Sequence, residues 1–239
     1  VIGTHPRPYV YRVDALTGTV CVFGAEHTRN PDDPGLRTLR GEFDAFAPTI
    51  VLIEGRLGMM FPLFMDPVRT FGETGHAAAL ARRASIPVRS WEPPRERIAE
   101  ALRAAGFTTE QIGLRFVLNG YFSNLRHGRP DDPSAFVADT LVARAREAGA
   151  SASLRSVADV DAAWVREYPR GPDWRDVSDE FGLPGTLGEM DLNAPRDAHL
   201  VSCIADLMAR GERVLVVCGS SHAVVIEPAV RAMASATPR

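Results

Sequence analysis

The hydrophobic positions of this chain sort into two periodicities. Short apolar runs stand at 8–13 (PYVYRV), 19–23 (TVCVF), 48–55 (PTIVLIEG), 86–94 (IPVRSWEPP) and 213–218 (RVLVVC). The first two, separated only by DALTG, predict a strand pair around a turn. The 48–55 run is apolar on both faces, which suits a central parallel strand covered by helices. Between these runs the spacing becomes helical. Asp33 heads an amphipathic stretch as a candidate N-cap, GETGHAAALARRAS (72–85) follows, and a helix over 195–210 precedes the last strand. Strand alternating with helix implies right-handed crossovers. The expected fold is therefore α/β, with a mixed, mostly parallel central sheet and flanking helices.

From about residue 93 to 190 the strand signal fades. The segments PRERIAEALRAA, TTEQIGLRFVLNGYF and PSAFVADTLVARAREAG read as helices divided by short loops rich in Pro, Gly and Asp. Thr108 and Gln111 have the spacing of a capping box. The organisation predicted is a single α/β domain over 1–239 with a helical insertion at about 93–190 that could cover one sheet edge as a lid.

Composition narrows the function classes. The 239 residues carry a net charge of −3, which gives no electrostatic case for nucleic acid or an anionic membrane. Every basic residue is an arginine, read as compositional bias rather than function. No run approaches the roughly 20 apolar residues of a membrane helix, and no signal peptide is visible. Three cysteines cannot all pair within the chain, and Cys21, Cys203 and Cys218 read as small packing residues in a reducing compartment. The expectation is a cytoplasmic protein acting on a small-molecule or peptide substrate, with no nucleic-acid or membrane partner. The sequence does not give its oligomeric state.

Chemistry enters at the ends of the strands. VCVFGAEH ends in Gly24 and His27, and VLVVCGSSH in Gly219 and His222, so two strands stop at a glycine with a histidine three positions on. Glu54 and Glu92 close two further strands. In a parallel sheet the carboxyl ends share one edge, where ligand sites form, so these four residues are expected to converge. A glycine at such an exit allows a sharp turn and close approach of a ligand. Two imidazoles with a carboxylate suit a divalent first-row ion such as Mn, Co, Ni or Zn. The expected ligands are His27, His222 and Glu54, with Glu92 or Glu26 taking a proton from bound water. Arg196, near the start of the helix feeding the last strand, would bind an oxyanion or a substrate carboxylate.

Each residue also has an ordinary reading. His27 alone is a hydrogen-bonded loop histidine, Glu54 a cap for the next helix, and Glu92 a plain strand exit. Glu73 and His76 share a helix face without a second histidine and read as surface or supporting residues. His199, one turn after Arg196, could orient it. His5 and His127 read as solvated loop residues. Ser220 and Ser221 lack the glycine-flanked elbow of α/β-hydrolases.

Taken together, PYVYRVDALTGTVCVFGAEHTRN, TIVLIEG and RDAHLVSCIADLMARGERVLVVCGSSH resemble the TraB/TIKI superfamily, including its GumN-like bacterial members, over roughly residues 8–92 and 190–235. Erythromycin esterases and haem-binding ChaN proteins are more distant relatives. The resemblance implies a metal-dependent hydrolase of amide, peptide or ester bonds, with His27, Glu54, Arg196 and His222 at the motif positions. Gly24 stands where the esterases place a glutamate, which disfavours macrolide ester hydrolysis. Asp197 replaces an asparagine common after the arginine. The alternative is a non-catalytic protein binding haem or another ligand on the same scaffold.

Overall fold

The computed structural model describes residues 4–56, 66–125, 128–177, 183 and 185–234. His127 lies outside them. The chain divides into two compact units, one built from 1–92 and 196–239 and the other from 93–195.

The first unit is an α/β layer structure. Strands β1 (Tyr9–Asp14), β2 (Thr19–Ala25), β3 (Ile50–Ile53), β4 (Val88–Ser90) and β5 (Arg213–Gly219) form one sheet in the order β1-β2-β5-β3-β4. Only the β1–β2 pair is antiparallel; β2, β5, β3 and β4 all run the same way. The register places Ala25 opposite Gly219 and Ile53 opposite both Val217 and Ser90, so four strands end along one edge.

Alternation along the strands feeds two cores, as the two-residue period of a pleated strand requires. Val20, Val22, Ile50, Leu52, Val214 and Val216 pack on one face with Leu200 and Ile204 of α8 (Asn193–Met208) and Ile226 and Val230 of α9 (Ser220–Ala234). Cys21, Phe23, Val51, Ile53, Leu215 and Val217 pack on the other face. There they meet Leu39 and Phe43 of α1 (Pro34–Phe46) and Ala77 and Ala81 of α2 (Pro67–Arg83). Asp33 caps α1 by accepting from the Gly35 N–H, with proline at the first position.

Two features of this unit differ from the sequence expectation. The helix after β3 starts at Pro67, five residues before GETGH, and breaks at Gly72, whose φ of 59° and ψ of −141° are not helical. A helix also succeeds the last strand directly. α9 begins at Ser220, so the spacer in GSSH is the helix's first turn rather than a loop.

The second unit is helical among its described residues. α3 (Arg95–Ala104), α4 (Thr109–Asn124), α5 (Pro133–Ala148), α6 (Val157–Glu167) and the short α7 (Gly185–Glu189) enclose a separate core around Trp174, Tyr121, Leu118, Leu141 and Trp164. The Thr108–Gln111 capping box forms, with the hydroxyl accepting from the Gln111 N–H and the Gln111 amide reaching back. Ser156 and Asp159 make a second box heading α6, a helix not among those read from the sequence. No described helix is long and apolar enough to cross a membrane.

Candidate active site

The common sheet edge brings together side chains from four strand exits and one helix. β3 continues one residue past its last ladder position, where the Glu54 N–H donates to the Val217 carbonyl at 3.1 Å. β4 continues likewise, with the Trp91 N–H donating to the Ile53 carbonyl at 3.2 Å. This fixes the backbone just before the Glu54 and Glu92 side chains.

Arg196 sits at the centre. Its Nε and Nη2 donate to the two oxygens of Glu92 at 3.0 and 2.6 Å, a bidentate fork. Nη2 also donates to Glu54 Oε1 at 2.9 Å, and Nη1 lies 3.1 Å from His222 Nε2. Burial on its own would lower the guanidinium's proton affinity. The bonds from Glu92 and the charges of Glu92 and Glu54 outweigh it and hold Arg196 protonated well above its ordinary value.

An arginine only donates, so His222 Nε2 is the acceptor in this contact and its proton resides on Nδ1. That proton is donated to Asp197 Oδ1 at 2.5 Å. His222 and Asp197 are both buried. The buried Trp91 forms one wall of the cluster. Its ring lies 5.2 Å from the guanidinium carbon and meets the His222 ring edge-on at 5.3 Å, and its indole N–H faces the Val217 carbonyl at 3.4 Å.

Glu54 links this buried cluster to His27. Its Oε2 accepts from the Gly219 N–H at 2.8 Å. A Cβ placed on Gly219 would stand 2.5 Å from His27 Nε2 and 3.7 Å from that same Glu54 oxygen. Burial would raise the Glu54 pKa, but the charge of Arg196, then the two imidazoles and the Gly219 bond, bring it below the ordinary value. His27 itself is exposed and adopts a left-handed φ of 65°, uncommon outside glycine.

The two glycines serve differently from the sequence expectation. Neither Gly24 nor Gly219 has a positive φ. Each instead makes room for the other motif. A Cβ on Gly24 would meet Ala223 Cβ at 2.9 Å and Ser220 Cα at 3.0 Å, both at the start of α9, while one on Gly219 would meet the His27 ring.

Of the residues singled out in the sequence, Glu54, Glu92, Arg196 and His222 meet directly, and His27 adjoins them through Glu54 and Gly219. Glu26 is exposed, and it is its backbone N–H, bonded to Glu73, that is held in place. His199 does not orient Arg196; its Nε2 faces Cys203 Sγ at 3.5 Å. Asp197 and Trp91 are partners that the strand-end reasoning missed. Asp197 stands beside Arg196 in RDAH, and Trp91 beside Glu92 in WEP.

The donor set His27, Glu54 and His222 has the chemistry of a divalent site, with the positive charge of Arg196 set against it. His222 Nε2 and Glu54 Oε1 stand 4.0 Å apart, the span of two ligand bonds of about 2.0–2.2 Å, and the Arg196 guanidinium lies 3.1 and 2.9 Å from the same atoms, so an ion between them would sit against a fixed positive charge. Among the described residues, no three His, Cys, Asp or Glu side chains are arranged to hold a metal. Compared with protein-family models, curated proteins and solved structures, the chain matches none.

Proposed function

We propose that this protein is a hydrolase of ester or amide bonds whose fixed positive charge is Arg196. The observation that carries the reading is the exposed imidazole of His27 beside Gly219, whose N–H is bonded to Glu54, a carboxylate that also accepts from the half-buried guanidinium of Arg196. His27 accepts a proton from the attacking water, and Glu54 favours the imidazolium that results. Negative charge developing on the carbonyl oxygen is favoured by Arg196, because a preorganised charge in a low-dielectric site needs no reorganisation during the reaction. His222, held by Asp197, and Glu92 keep the guanidinium in place.

The test is a panel of short peptides and chromogenic esters, assayed with chelator and with added Mn, Co, Ni or Zn. Hydrolysis that survives chelation and disappears in His27→Ala is expected. Hydrolysis lost with a stoichiometric metal on chelation would favour the metal-dependent reading of the TraB/TIKI resemblance. No turnover on any substrate, together with an intense haem absorption band, would mark a binding protein.

A further inference from the structure

Among the described residues, Glu73 is the one buried carboxylate that the proposed chemistry does not use. It stands in α2 directly after the break at Gly72. A carboxylate so withdrawn from water costs free energy unless its oxygens are bonded, and the bonds it makes are specific. Its Oε1 accepts from the Glu26 N–H at 3.1 Å and the Thr28 N–H at 3.2 Å, the two amides flanking His27. Gly72 brings the two segments into contact, because a Cβ there would stand 2.4 Å from the Thr28 carbonyl oxygen. Between the two held amides, His27 takes its left-handed φ of 65°.

From this geometry we infer that Glu73 is a positioning residue for His27. One carboxylate oxygen, grasping the amides on either side, fixes the left-handed turn that aims the imidazole at Gly219 and Glu54. This rests on the proposed role of His27, but the placement it describes can be measured without any substrate. A left-handed conformation outside glycine is unfavourable and persists only when its surroundings impose it. Two charge-assisted bonds to one oxygen supply that constraint. The device is geometric rather than electrostatic, so an uncharged acceptor in the same place serves as well.

The test uses the full chain with isotope-labelled histidine rings, the His27 signal being assigned from its loss in His27→Asn. In Glu73→Gln the amide oxygen still accepts from both N–H groups, and the His27 signal should stay at its wild-type position. In Glu73→Ala it should shift and broaden, with His222 unmoved and unfolding still cooperative. If hydrolysis is found, kcat should fall by about 10²-fold in the alanine variant and recover in the glutamine variant, with KM little changed in either. A His27 signal unaltered in Glu73→Ala overturns the inference, whatever the activity. So does a Glu73→Gln variant in which His27 moves, or an alanine variant in which every histidine moves together. Should Glu73→Ala not fold, Gly72→Ala replaces it, since its Cβ would push directly on the Thr28 carbonyl. Displacement of His27 alone supports the inference there, and an unmoved ring overturns it. A shifted His27 in an otherwise inactive protein refutes the hydrolase and leaves the clamp standing.

Discussion

The two glycine–x–x–histidine segments share a spacing and end in opposite surroundings. After Gly24 the strand runs one residue further and opens into an exposed turn carrying His27, held from outside by Glu73. After Gly219 a helix starts at once, and His222 is buried in its first turn against Asp197. Only the first histidine is placed to meet water; the second holds a guanidinium. The difference comes from the residues immediately after each strand. EHTRNPDDPG is rich in residues that bond locally to their own backbone, whereas SSHAVVIEPAV carries an apolar helical face that docks on the sheet. A motif's spacing therefore sets neither the direction nor the job of its histidine.

The sharpest way to break this contrast is to remove each imidazole in turn. His27→Ala should lose about 10²–10⁴ in turnover, the usual contribution of a general base, with little loss of stability, because an exposed loop side chain adds little packing. His222→Ala should destabilise the fold, since it leaves Asp197 buried without its partner. Turnover and thermal unfolding, measured on both variants, check the assignment. Equal turnover losses with equal destabilisation would mean that the two histidines do one job.

Arg196→Lys comes next. The ammonium is a point donor and cannot hold Glu92 through two parallel bonds while reaching both Glu54 and His222. Turnover should fall by about 10²–10³. A lysine variant with wild-type turnover would reduce Arg196 to an ordinary charge.

The sequence already showed which residues reach the sheet edge, because strand exits in a parallel sheet are countable from apolar runs. Glu54, Glu92 and His222 follow from that rule. What it did not show was how the charges pair. Arg196 reads as a substrate binder from its type alone, yet its fork is engaged by residues 104 and 142 positions away, and only the fold reveals that separation closing. Asp197 stands out in the sequence only as a departure from the resemblance, and its pairing with His222 is hidden for a local reason. Adjacent residues on a helix point in different directions, so RD gives no hint that both serve His222. Glu73 reads as a surface or supporting residue and no further, because helical periodicity carries no information about a break at Gly72. In the second unit the capping residues made the start of α4 legible; α6 carries the same signals, a Ser156–Asp159 box and an apolar stripe of Val160, Ala163 and Trp164, and was legible too, although it is not among the helices read from the sequence.

The glycines give a smaller and more discriminating pair of effects. Gly24→Ala places its Cβ against Ala223 Cβ and against backbone at Ser220 and Tyr9. Those atoms cannot give way separately, and the overpacking should cost about 1–3 kcal/mol. Gly219→Ala meets the end of an exposed side chain, the His27 ring. Stability there should stay within about 1 kcal/mol of wild type, while the displaced imidazole lowers turnover by about 10²-fold. Denaturant unfolding and turnover on the two variants should thus separate cleanly. A destabilised Gly219→Ala with normal turnover would show that His27 acts independently of the second motif.

The smallest effect is on acid stability, and it tests the carboxylate that joins the two motifs. Glu54 has a pKa below its ordinary value of 4.5: burial opposes ionisation, and Arg196, the imidazoles and the Gly219 N–H overcome it. The sign is set by proton uptake. As pH falls below the ordinary carboxylate range, the unfolded chain protonates Glu54 before the folded one does, so the unfolded state binds more protons and stability drops. The contribution is fully present above that range and is lost as pH passes down through the folded pKa. Glu227 and Asp159 are lowered too, so the wild-type curve alone does not isolate Glu54. The difference between wild type and Glu54→Gln does, because Glu227 and Asp159, which do not touch Glu54 or Arg196, are left in the same surroundings in both. Wild type should be more stable than Glu54→Gln at neutral pH, and the gap should shrink steadily from roughly pH 5 downward. A gap that stays constant across that interval would mean that Glu54 is not held ionised by Arg196, and the charge linking His27 to the buried cluster would be absent.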